Sequence, residues 1–202
     1  LPYDPFKDFA SITLAANNTS LLTVRAADGP NTVHELIAKA KANPGKLNYG
    51  AGTITTRLAG YLFNQMAGID VVFIPYKGSA DVVQGLLTGS TEFIVDGIAA
   101  SLPLIQSGKL RALAKLNSRP LPALPDLKPL AVAANLPSLD DISTWTALVA
   151  PAGTPPDIIE KIQRSVAKMY ADPAIVDKLE KSGITATSST PAEFDAFFRK
   201  ET

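Results

Sequence analysis

From Leu21 to Lys115 the sequence switches repeatedly between an apolar period of two and one near 3.6, and this alternation restricts the fold more than any other feature. Leu21 to Arg25 reads as a strand. A helix follows: Thr32 stands three residues before Glu35 at a capping-box spacing, Leu36, Ile37 and Ala40 form the apolar stripe, and Asn43-Pro44-Gly45 ends it. The unit recurs as strand Lys46 to Tyr49, helix Thr56 to Met66, strand Asp70 to Pro75, helix Ala80 to Leu87 and strand Glu92 to Asp96. Helix Ile98 to Gln106 stops at Ser107-Gly108, and Leu110 to Lys115 resumes as strand. Such repetition specifies an α/β fold, and the unbroken run Val71-Val72-Phe73-Ile74 is expected of a parallel strand buried on both faces.

Outside this block the pattern changes. Pro120, Pro122, Pro125, Pro129 and Pro137 make Asn117 to Asp141 a long connection with one short turn of helix. Ile12 to Ala16 and Thr144 to Val149 read as strands, and Thr154 and Pro155 as cap and first residue of a helix striped by Ile158, Ile159, Ile162 and Val166. Two further helices start at Asp172-Pro173 and at the capping box Thr190-Pro191-Ala192-Glu193, with Gly183 between them. The chain is therefore expected to form two lobes. Residues 21–149 make an inner lobe that includes two hinge strands, Leu21 to Arg25 and Thr144 to Val149. Residues 1–20 and 150–202 make part of an outer lobe with too few strands for a sheet of its own, so that lobe is expected to be incomplete.

Composition removes several classes of function. In 202 residues, 19 basic side chains balance 19 acidic ones without a basic run, so nucleic acid is not an expected partner. The absence of Cys removes disulfides, thiolate nucleophiles and Cys-based zinc sites. The one histidine, His34, stands beside Glu35 near no nucleophile, and no Gly-x-Ser-x-Gly elbow is present, so no catalytic residue is assigned and the chain reads as a non-enzyme. Asp140-Asp141 lacks His or Cys support, so no metal is expected, and Gly50-Ala51-Gly52 lacks the Lys-Ser/Thr of a P-loop, so no nucleotide cofactor is expected either. No apolar run approaches the roughly 20 residues of a membrane span. Leu1-Pro2-Tyr3-Asp4-Pro5-Phe6 has neither the form of a secretory signal nor an initiator Met, and an upstream segment is expected.

The remaining chemistry is anion binding. Between the strand ending at Tyr49 and the following helix, Gly50 and Gly52 flank Ala51 and permit close backbone approach. Thr53, Thr55 and Thr56 offer hydroxyls, Ile54 lies among them, and the helix start offers unpaired N–H groups with a positive dipole end. That suits a carboxylate; a plain capped turn fits the same residues. Arg57 suits either bidentate contact or solvent. In a parallel sheet two more junctions share this edge, Tyr76-Lys77-Gly78 and the one at Asp96. There Lys77 offers charge, Tyr76 a ring or hydroxyl, and Asp96 an acceptor or a helix cap. Trp145, on a hinge strand, either lines a cleft or packs.

At these residues the sequence resembles the Bug-type extracytoplasmic solute receptors of tripartite tricarboxylate transporters, over nearly its whole length. The likeness runs through Leu1-Pro2-Tyr3-Asp4-Pro5, Ala42-Asn43-Pro44-Gly45-Lys46-Leu47-Asn48-Tyr49-Gly50, Leu58-Ala59-Gly60, Pro75-Tyr76-Lys77-Gly78, Gly108-Lys109-Leu110-Arg111-Ala112-Leu113-Ala114 and Ala150-Pro151-Ala152-Gly153-Thr154-Pro155. The resemblance implies a type II periplasmic-binding-protein fold, a periplasmic location and delivery of a small organic carboxylate to the transporter's membrane subunits by a monomeric receptor. It also implies that the loop from Tyr49-Gly50 onward holds a ligand carboxylate through main-chain amides and hydroxyls. Three departures stand out: the loop is shorter than usual, Arg57 replaces a common His, and the family's first βα units, which bind from the opposite lobe, are absent. The effector-sensing domain of a transcription regulator is the alternative reading, since it uses the same fold.

Overall fold

The computed structural model describes residues 2–136 and 144–201, and the Asp140-Asp141 pair falls outside them. The chain divides into two compact units, Leu1–Asn18 with Trp145–Thr202, and Thr19–Thr144.

The second unit holds a five-stranded sheet in the order β4-β3-β5-β2-β6, with β2 Ser20–Arg25, β3 Asn48–Ala51, β4 Val72–Pro75, β5 Phe93–Gly97 and β6 Leu110–Lys115. β3 runs parallel to β4 and β5, whereas β2 is antiparallel to β5 and β6. The sheet is thus mixed, not purely parallel. The reason is local: β2 starts at Ser20 opposite Gly97, so it enters at the edge where β5 ends. Alternation along β5 separates two cores. Phe93 and Val95 join Leu36 and Ala40 of α1 (Val33–Ala42) and Ala59 and Phe63 of α2 (Ile54–Ala67). Ile94 turns to Val82, Val83 and Leu86 of α3 (Ser79–Leu87) on the other face, where Leu21 meets Ile98 and Leu102 of α4 (Ile98–Gln106). Each fully buried side chain of this size contributes about 1.5–3 kcal/mol.

The run Val71 to Ile74 does not lie inside the sheet. β4 is an edge strand, and Val72 is 44% exposed. Between β6 and residue 136 the one short helix is α5, Leu130–Ala134, packed on the α1 side.

The first unit has a sheet of its own, contrary to the expectation from strand counting. β1 (Phe9–Asn18) lies between β7 (Thr144–Pro151) and β8 (Ile184–Ala186), and it pairs antiparallel with β8 through Ala16↔Ala186 and Asn18↔Ile184. β8 is three residues long, too short to show a period. Three helices accompany the sheet: α6 Pro156–Tyr170, α7 Pro173–Lys181 and α8 Pro191–Glu201. Asp172 caps α7 by accepting from the Ala174 amide at 2.9 Å, and Thr190 and Glu193 satisfy each other's amides at 3.2 and 2.8 Å. At α6 the start moves by one residue. Pro155 is the cap and Pro156 the first helical residue, while the Thr154 hydroxyl donates back to the Pro151 carbonyl at 2.7 Å.

Candidate functional site

Because β3, β4 and β5 are parallel, their carboxyl ends share one edge of the second unit, and the N-termini of α2, α3 and α4 begin there. The stretch Gly50 to Arg57 is mostly regular structure. Gly50 and Ala51 are still in β3, only Gly52 and Thr53 connect, and Ile54 opens α2 two residues earlier than its apolar stripe predicts. Both glycines serve protein packing. A Cβ on Gly50 would lie 2.9 Å from Cε2 of Tyr76, and one on Gly52 would lie 3.0 Å from the Gly78 carbonyl carbon and 3.1 Å from the Ser79 nitrogen. The absent side chains let the Tyr76 ring and the start of α3 close onto β3.

Thr53 and Thr56 form a capping box. The Thr53 hydroxyl accepts from the Thr56 amide at 3.2 Å, the Thr56 hydroxyl accepts from the Thr53 amide at 3.2 Å, and the two hydroxyls lie 2.9 Å apart. These hydroxyls are therefore spent on the helix itself, and Thr56 is buried. The first-turn N–H groups without a partner among the described residues are those of Ile54 and Thr55, and both residues are exposed. No acidic side chain occupies that turn. The positive end of this 14-residue helix therefore presents two open main-chain amides.

Asp96 ends the same edge at register with Leu21. It is 2% exposed, and among the described residues neither carboxylate oxygen has a partner at hydrogen-bonding geometry. Burial pushes its carboxyl above the usual range. The Ser79 hydroxyl and the amides of Gly97 and Gly52 lie near enough to offset part of that shift without forming full bonds.

The sequence pattern of the tripartite tricarboxylate transporter family receptor matches residues 1–201. The chain belongs to this receptor family. BugT of Bordetella pertussis is 29% identical over 206 residues, covering the whole of this chain and 62% of BugT. A solved structure of an R. palustris protein with adipate is 30% identical, with a TM-score of 0.91 over 98% of this chain and 67% of that one. MatC from Rhodopseudomonas palustris with bound malate is 25% identical, with a TM-score of 0.86 over all of this chain and 69% of MatC. The α/β periplasmic-binding-protein fold and the Bug-type resemblance are thus established. The chain spans about 60% of the length of the curated relatives it matches.

The other residues singled out in this receptor chain fall into two groups. Lys77 and Gly78 stand at the start of α3, beside Gly52; Lys77 is exposed and forms no ion pair among the described residues, and Gly78 caps α3 without a side-chain bond. The Tyr76 ring packs between Gly50 and Gly85. Arg57 turns toward β4, its guanidinium 4.8 Å from the centre of the Phe73 ring. Trp145 belongs to the first unit, where its ring meets Phe194, Phe197 and Phe198 of α8 edge-on at 6.1, 5.5 and 5.9 Å.

Polar residues that the sequence reading passed over also gather at this edge of the second unit. Antiparallel β6 ends there, bringing buried Lys115 and Asn117 beside Thr19 and Ser20. The Asn117 amide donates to the Thr19 hydroxyl at 3.5 Å and the Lys115 ammonium to the Arg119 carbonyl. The Asn117 side-chain oxygen is buried without a partner among the described residues. Their signal is strand direction, which periodicity does not carry.

Proposed function

We propose that this chain is the ligand-binding portion of a non-enzymatic periplasmic receptor that captures a small organic mono- or dicarboxylate and delivers it to the membrane subunits of a tripartite tricarboxylate-type transporter. The observation that carries the reading is the open first turn of α2, whose Ile54 and Thr55 amides have no acidic side chain in their own turn and suit a carboxylate. Gly52, Thr53 and Thr56 fix that turn, Gly50, Ala51, Tyr76 and Gly78 fix the strand ends beneath it, and Lys77 supplies the nearby exposed charge. Arg57 and Trp145 act through packing. The adipate and malate held by two structural relatives support the solute class.

Calorimetric titration of the full gene product with a panel of mono- and dicarboxylates tests this. Micromolar or tighter binding of at least one member is expected, weakened by Thr53→Ala. Absence of heat with every carboxylate would remove the proposal.

A further inference from the structure

Asp96 presents an unusual electrostatic problem. It is a carboxylate buried to 2% exposure, both oxygens are unpartnered among the described residues, and the cations of the neighbouring elements are engaged elsewhere or exposed. On α2, Arg57 lies over Phe73; on β2, Arg25 chelates Asp28 at 2.8 and 3.0 Å; on β6, Arg111 donates to the carbonyls of Ala26, Gly29 and Pro30, and Lys115 to that of Arg119. On β3 the ionisable side chain is Tyr49, whose hydroxyl donates to the Arg57 carbonyl at 3.4 Å. The residues of α4 are all uncharged, and at α3 both Lys77 and Asp81 are exposed. The groups that favour the charged form of Asp96 are neutral dipoles alone: Ser79, Gly97 and Gly52. Dipoles at imperfect geometry compensate a buried charge weakly.

Gly52 ties this carboxylate to the proposed seat at the start of α2. Parallel β3 and β5 run in register through Gly50↔Ile94, so the Gly52 amide lies beside Asp96, and the next open amides along the chain are those of Ile54 and Thr55; an anion seated there brings a second negative charge near the buried one. We infer that Asp96 is the proton acceptor of the seat: when a carboxylate solute occupies the Ile54 and Thr55 amides, Asp96 takes one proton from solvent and the pair carries one negative charge in place of two. The inference rests on the carboxylate reading of the site given above. Its chemistry balances simply, since a buffer acid loses the proton that a carboxylate oxygen of Asp96 gains. The neutral acid leaves one oxygen on the side of the Gly52 amide and can turn its new O–H toward Ser79. Asp96 does not touch the solute and is a positioning residue that sets the charge the seat tolerates.

Proton linkage separates this role from a structural one. The full gene product is titrated with malate and with adipate above about pH 6, where free carboxylates are ionised, in two buffers of different ionisation heat. The expected result is uptake of up to one proton per solute, with affinity falling as pH rises, by at most about tenfold per pH unit. In Asp96→Asn the uptake vanishes and affinity becomes flat with pH. Equal apparent heats for the unaltered protein in the two buffers would overturn the inference, and that measurement needs no variant to fold. Unchanged uptake in a folded Asp96→Asn protein would also overturn it. Binding without proton uptake removes this inference alone, whereas no binding of any carboxylate removes the receptor reading and this inference with it.

Discussion

Gly85→Ala in α3 tests whether the packing beneath the seat is as tight as the geometry states. In a helix interior, Ala is favoured over Gly by about 1 kcal/mol, so propensity alone expects a more stable protein. The new Cβ would fall 2.1 Å from the Tyr76 hydroxyl oxygen, 2.5 Å from Cζ and 2.8 Å from Cε1. Relief needs a ring shift of more than about 1 Å to reach normal carbon contact distances. Retreat is blocked on the opposite side, where the same ring lies close enough to Gly50 that a Cβ there would approach it to 2.9 Å. Overpacking of this kind costs typically about 1–3 kcal/mol, so the net effect is a loss of up to about 2 kcal/mol in place of a gain. Urea unfolding followed by far-ultraviolet circular dichroism reads it; Trp145 fluorescence does not, because that residue belongs to the other unit. In a Tyr76→Ala background the clash is gone, and Gly85→Ala should become stabilising, giving a coupling of about 1–3 kcal/mol. A Gly85→Ala protein that gains stability with Tyr76 in place would refute the reasoning.

Other consequences are as direct. Thr53→Ala removes the cap of α2 and should cost about 1 kcal/mol of stability, measured by thermal melting, while loosening the first turn enough to weaken carboxylate binding. Phe194→Ala opens a cavity under Trp145 and should cost about 3–5 kcal/mol, with a red shift of the tryptophan emission. Arg57→Ala should leave carboxylate affinity within about twofold by calorimetry, because its guanidinium is engaged with Phe73. The raised carboxyl of Asp96 also predicts a pH effect on the ligand-free protein. The unfolded chain ionises this group near about pH 3.9, while the folded chain retains the proton to higher pH, so the folded state binds more protons in that window. Stability from this group is therefore full below the unfolded value and is lost as pH rises through the folded one. Denaturant titrations across that range should show a less negative slope in Asp96→Asn than in the unaltered protein.

The succession of strands and helices in the second unit was legible because each element writes its own period, as in Leu36 and Ala40 on α1 or Phe93 and Val95 on β5. Strand direction was not legible. It depends on where the chain enters the sheet, and so the approach of Lys115 and Asn117 to Thr19 stayed hidden. β8 escaped because three residues cannot show alternation. Val72 was misjudged because an apolar run reads alike in a central and an edge strand. At the start of α2, residue types suggested the anion chemistry that is proposed above. They did not reveal that Gly50 and Gly52 make room for Tyr76 and α3, or that Thr53 and Thr56 bond to one another; these are facts of packing between segments distant in sequence.

The capping box of Thr53 and Thr56 carries one more implication. On the proposed carboxylate reading, these hydroxyls, closed on themselves, leave recognition of charge to backbone groups that any residue except proline would provide at positions 54 and 55. Holding an anion and choosing among anions can then change independently. A redesign aimed at a new solute would keep the first turn of α2 as a fixed socket and vary the side chains around it, and a library randomised at Ile54 and Thr55 should retain binders at high frequency where one randomised at Thr53 and Thr56 should not.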